Sequence, residues 1–210
     1  MKTKKRITGQ KKGVAASPSH LSRRRIVETA RAHFFQHGFR NVTMDDLAAE
    51  LRASKKTLYA HFPSKDSLLE AILRDKLQRV RVSLRQARNN NTPFPDSLRA
   101  SLGAVQSELD ELKPPFLRDM RKAPGPFQRQ EERRVRLIRE HFGQLFRQGQ
   151  RDGHVREDIS PELMIETLLA SVHAIMNPPK LNALGLAPKE GFRELIDLLL
   201  QGALVRKGGK

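Results

Sequence analysis

From Leu21 onward, apolar residues recur three and four positions apart, and nearly every such run is closed by a proline or a glycine. That period belongs to a helix, and no alternating run is present to make a strand. The expected fold is all-α, with about nine helices divided between a small N-terminal helix-turn-helix domain and a larger helical domain. The spacing predicts helices over Leu21–His37, Met44–Leu51, Lys65–Arg88, Asp96–Leu112, Pro115–Lys122, Phe127–Arg151, Pro161–Met176 and Lys189–Val205, plus a short one opened by Ser54 and ended by Pro63. Local chemistry sets these limits. Gly38 stops the first helix, Thr43 with Asp46 three residues on is close to a capping box, and Ser54 and Ser64 are N-caps. Residues 21–64 are expected to form the first domain and residues 65–210 the second.

Charge narrows the partners. The 210 residues carry 40 Lys and Arg against 23 Asp and Glu, a net +17. Residues 1–70 hold 15 basic and 6 acidic side chains, so the excess is concentrated at the front. Residues 1–20 contain no acidic residue and read as a disordered basic arm. A polyanion is the first partner to expect. There is no cysteine, so neither disulfides nor thiolate metal sites are available. No apolar run approaches membrane length and no signal-peptide pattern follows the basic start, which leads to the expectation of a cytoplasmic protein with no membrane partner.

The segment from Thr43 to Lys65 carries the function. Two short helices joined by a tight turn, the second of them basic, make a helix-turn-helix whose second helix fits the major groove of double-stranded DNA. On that helix Leu58 and Phe62 are four apart and face inward, leaving Lys55, Lys56, Thr57 and Tyr59 outward. The lysines suit phosphates, Thr57 suits a base edge or a thymine methyl, and Tyr59 suits a sugar or phosphate. Thr43, His61 and Lys65 stand where they can reach the backbone as well.

The series Val42-Thr43-Met44-Asp45-Asp46-Leu47-Ala48, followed by Ser54-Lys55-Lys56-Thr57-Leu58-Tyr59-Ala60-His61-Phe62-Pro63-Ser64-Lys65, resembles the tetracycline-repressor (TetR) family over roughly Ile26 to Leu73. The resemblance implies a DNA-binding domain, a larger ligand-binding domain and dimerisation through the last two helices. It also implies DNA contacts from Thr43, Lys55, Lys56, Thr57, Tyr59, His61 and Lys65. One departure stands out: the family's turn usually carries glycine where this chain has Arg52 followed by Ala53. Either the turn avoids a positive φ or Arg52 tolerates one, and in both cases its charge lies beside the groove.

The helices expected over Pro161–Met176 and Lys189–Val205 are apolar on more than one side. Met164, Leu168 and Val172 of the first, with Phe192, Ile196, Leu199 and Leu200 of the second, are the candidate dimer interface. A two-fold dimer implies a palindromic operator. Between the two ends, Leu112, Phe116, Leu117, Met120, Ile138 and Phe142 are candidates for lining a pocket for a small-molecule effector, although ordinary core packing explains each equally well. No phosphate-binding glycine loop, zinc spacing or nucleophile elbow is present, and the pair His33 and His37 has no third ligand nearby. The chain thus reads as a non-enzymatic transcriptional regulator without cofactor or metal, in the first instance a repressor released by its ligand. The alternative is a non-specific or architectural DNA-binding protein using the same motif and arm.

Overall fold

A computed structural model describes residues 21–88, 92–122 and 125–204; the basic arm 1–20 and the helix end expected at Val205 lie outside them. The described residues form ten helices: α1 (Arg23–His37), α2 (Met44–Glu50), α3 (Lys55–His61), α4 (Lys65–Ala87), α5 (Phe94–Asp110), α6 (Pro114–Lys122), α7 (Pro126–Arg151), α8 (Pro161–Ile175), α9 (Pro178–Ala183) and α10 (Pro188–Ala203). Nine correspond to the expected helices within a few residues. The addition is α9, a six-residue helix capped by Asn177, whose Oδ1 accepts from the Lys180 N–H at 2.8 Å. No helix among the described residues is long and apolar enough to cross a membrane.

The caps behave as their residue types dictate. Thr43 Oγ1 accepts from the Asp46 N–H at 3.1 Å while Asp46 Oδ2 accepts from the Thr43 N–H at 2.7 Å, a reciprocal capping box. The Thr43 N–H, and after it the Thr43 hydroxyl, which also donates to Asp46 Oδ2, hold the Asp46 carboxyl below its usual pKa. Ser54 and Ser64 cap α3 and α4 through the N–H groups of Thr57 and Ser67.

The turn between α2 and α3 resolves the Arg52 question. The Ala53 N–H bonds the Ala48 carbonyl at 2.9 Å and the Arg52 N–H bonds that of Ala49 at 3.1 Å, the paired bonds of a Schellman cap. This cap requires a left-handed residue, and Arg52 supplies it with φ 51°. A Cβ in that region costs on the order of 1–2 kcal/mol, so Arg52→Gly is expected to raise stability by up to about 1 kcal/mol once the freedom glycine adds to the unfolded chain is subtracted. Urea unfolding of the two proteins measures the difference; a variant less stable than the parent would mean the turn is not strained.

Two apolar cores hold the molecule. The first gathers Ile26 and Phe34 of α1, Leu47 of α2, Leu58 of α3 and Leu68, Leu69 and Ile72 of α4, and it is completed by Leu112, Phe116 and Phe127 from beyond residue 110. Phe116 is fully buried, its ring 4.8 Å from Phe35 and 5.5 Å from Phe127. The second core lies between α5, α7 and α8, around Phe94, Leu98, Ile138, Phe142, Leu145, Phe146 and Ile165. There α7 approaches α5 closely: a Cβ on Gly149 would sit 2.5 Å from the Phe94 ring and 2.6 Å from Val155.

The six residues expected to line a pocket divide between these two cores. Leu112, Phe116, Leu117 and Met120 belong to or pack against the first core, whereas Ile138 and Phe142 are buried in the second. Helix α6 folds over α1 and uses its apolar face to close the first core. The junction is also polar. Asp119 of α6, nearly buried, accepts from the Arg40 backbone N–H at 2.9 Å, and the Arg40 guanidinium reaches the Lys122 carbonyl at 3.3 Å. Gly38 makes this approach possible: it has φ 90°, and a Cβ there would lie 2.8 Å from Asp119 Oδ2.

Candidate nucleic-acid interface

The candidate surface is the outer side of α3 together with the caps that flank it. Helix α3 is anchored by Leu58 and Phe62, at 0% and 1% exposure, so the orientation of the opposite face is fixed. Lys55, Lys56 and Tyr59 are exposed on that face, and Tyr59 at 47% is among the few large hydrophobic side chains left open to solvent.

Thr57 is half-buried, its hydroxyl 2.8 Å from that of Ser54. The contact restrains the Thr57 rotamer. Lys55 Nζ lies 2.6 Å from Asp45 Oδ2 of α2, which raises the lysine pKa through the hydrogen bond first and the charge second. Both side chains are well exposed, so the pair is weak and a phosphate can compete for the ammonium.

Thr43 is exposed at the start of α2, its hydroxyl engaged in the capping box but bordering the same surface. His61, half-buried, closes α3. Lys65 differs from expectation in its disposition. Its ammonium rests 4.4 Å from the centre of the Phe39 ring, and burial pushes its pKa down. The lysine therefore packs against the α1–α2 corner. Arg52 is exposed at the turn.

Of the eight expected residues, Thr43, Arg52, Lys55, Lys56 and Tyr59 are exposed, and Thr57, His61 and Lys65 are half-buried. The signal that carried them was local: cap, turn and the Leu58–Phe62 spacing. On the other end of the molecule, Met164, Leu168, Val172, Leu199 and Leu200 are half-buried, whereas Phe192 and Ile196 are already closed inside the protomer at 4% and 6% exposure. The strongest exposed apolar side chains there are Leu163 and Leu198, at 59% and 69%, and neither is among the residues expected at the dimer interface. Their place on the outer rather than inner side of α8 and α10 becomes visible only once the two helices are packed.

Comparison with known proteins places these features. Residues 26–72 match the family described as bacterial regulatory proteins, tetR family. An HTH-type transcriptional repressor of Streptomyces coelicolor is 34% identical over 71 residues, which span 34% of this chain and 37% of that protein. A TetR-family transcriptional regulator from Marinobacter aquaeolei superposes with a TM-score of 0.71 at 20% identity, over 88% of this chain and 91% of the other. A transcriptional regulator from Saccharomonospora viridis, solved in complex with choline, superposes with a TM-score of 0.68 at 20% identity, over 88% and 98%. These relatives are regulators and not enzymes. The chain is thus similar to TetR-family regulators: residues 26–72 match the family's model, and 88% of the chain shares the fold of a solved member.

Proposed function

We propose that the protein is a homodimeric transcriptional regulator that reads a palindromic site in double-stranded DNA with α3 and gives it up when a small-molecule effector binds the larger domain. The carrying observation is the outer face of α3, where Lys55, Lys56 and Tyr59 stand exposed over a closed Leu58–Phe62 anchor. Dimerisation is supported by the open apolar strip along α8 and α10. Leu163 lines a cleft of about 340 Å³ whose walls also include Leu168, Leu199 and Leu200, and Leu198 of α10 is exposed. Soluble chains rarely leave such a strip uncovered, and a second copy meeting it about a two-fold axis would set two α3 helices about one DNA turn, ~10 bp, or a multiple apart. The choline-bound relative supports the expectation that the larger domain holds an effector.

Selection of bound sequences from a random DNA pool near physiological salt tests this reading. The expected result is an inverted repeat. With the recovered site as probe, Thr57→Ala and Tyr59→Ala are each expected to weaken specific binding roughly 5- to 150-fold, the ~1–3 kcal/mol of one good contact, while sedimentation still reports a dimer. Retained binding with no enriched motif would favour the non-specific reading, in which affinity falls uniformly and steeply with salt. The basic arm 1–20 has its own role in either case: its deletion should weaken binding to all sequences and flatten the salt slope.

A further inference from the structure

We infer that the cleft between α4 and α7 binds a small organic molecule bearing at least two phosphate or carboxylate groups. The cleft has a volume of about 1030 Å³ and takes its walls from α4 and α7, with one side chain from α1. Arg74, Arg81, Arg85 and Arg88 line it from α4, at spacings that put them on one face of the helix. Arg133 and Arg136 of α7 stand opposite, and Arg23 of α1 closes the near end.

A plain solvated face does not account for this arrangement. Ten arginines elsewhere among the described residues are ion-paired, including Arg139 with Glu166 and Arg147 with Glu162 on α7 itself. Among the described residues, none of the seven in the cleft has a carboxylate partner. Only Asp75 and Glu140 bring negative charge to the lining, and Asp75 is taken by Arg79, which lies outside it. Like charges facing one another across a concave, low-dielectric surface repel and focus a positive potential into the gap. An anion relieves that repulsion, and guanidinium forks match phosphate and carboxylate oxygens two at a time.

The floor adds the rest of the ligand's chemistry. Leu77, Leu84 and Leu137 offer apolar surface, and Gln130, whose Oε1 is buried without a hydrogen-bond donor, lines the same cleft. A body with an apolar face and a donor, carrying anionic groups toward the rim, fits this lining. The volume is that of a site for a molecule of drug or nucleotide size.

As an effector class this deepens the function proposed above and rests on it. Arg23 also packs 4.4 Å from the centre of the Phe62 ring at the end of α3, so an anion that draws the guanidinium into the cleft removes a contact from the DNA-reading unit.

The test is calorimetric titration of the full-length protein, without DNA, with inorganic tripolyphosphate at about 0.15 M salt. Saturable binding of one anion per protomer is expected. It should weaken at least tenfold in Arg81→Ala/Arg136→Ala and remain unchanged in Arg99→Ala, an exposed arginine of α5 outside the cleft. No saturable binding, or equal loss in both variants, would overturn the site. A random-sequence duplex forms the second arm: the cleft variant should keep its affinity for it, and a loss as large as that for tripolyphosphate would make the cleft a DNA track instead. Anion binding that leaves the selected operator bound would uphold the site and remove its effector role, whereas an enriched operator without anion binding would uphold the regulator and remove the site.

Discussion

Phe116→Ala is expected to cost about 3–5 kcal/mol of unfolding free energy, the range for truncating a fully buried phenylalanine. In a chain of this size that lowers the midpoint of thermal unfolding by roughly 6–20 °C, at about 2–4 °C per kcal/mol. The ring is at 0% exposure and sits between Phe35 of α1 and Phe127 of α7, in edge-on and tilted contacts that cannot be remade by a methyl group. The sequence assigns this residue equally well to a pocket wall, and the two roles predict opposite results. A pocket residue facing free space would lose little on truncation. A measured cost below about 1 kcal/mol, by urea or thermal unfolding, would restore that role and leave α6 as a loosely attached cover.

The second large effect depends on pH. His141 of α7 is nearly buried in the second core, where its Nε2 meets the Ser101 hydroxyl of α5 at 2.8 Å. Burial, aided by the nearby Arg88 charge, pushes its pKa down to about 4. An unfolded chain returns the imidazole to about 6.5, so between these values the unfolded state binds more protons. The contribution is complete above about pH 6.5 and is lost progressively as pH falls toward 4, amounting to on the order of 3 kcal/mol across the window. His141→Gln can keep a hydrogen bond to Ser101 and cannot titrate. Denaturant unfolding at several pH values should show the parent losing stability across the window more steeply than the variant by about that amount. Parallel curves would mean that His141 titrates normally in the fold.

What was legible in the sequence was what a few consecutive residues decide by themselves. The capping box of Thr43 and Asp46, the serine caps of α3 and α4 and the stop at Gly38 all form within four positions along the chain, and so the limits of the first four helices could be read residue by residue. Helix α9 was missed because six residues present too little periodicity, although Asn177 followed by two prolines is a cap and first-turn signal in its own right. The Arg52 turn could be narrowed to two conformations, and choosing between them needed the carbonyls of Ala48 and Ala49 in place. Clefts and cores failed for a different reason. The arginines of α4 are visibly on one face, but which helix stands opposite them depends on how α4 and α7 cross. For the same reason nothing local could separate Phe116 from Ile138 or Phe142.

The way α6 and the start of α7 close the core of the first three helices limits how such a protein can be taken apart or rebuilt. A piece cut after Ser64 would lose Leu68, Leu69 and Ile72 along with Leu112, Phe116 and Phe127, and would keep one side of its interior open to water. The DNA-reading head is thus not a portable cassette: moved onto another regulator, it needs matching apolar shapes at those positions in the recipient. Substitutions on the two sides of that seam are expected to have accumulated in pairs, so exchange of heads between relatives should succeed only when the cut falls beyond the shared interior rather than at the turn before α4.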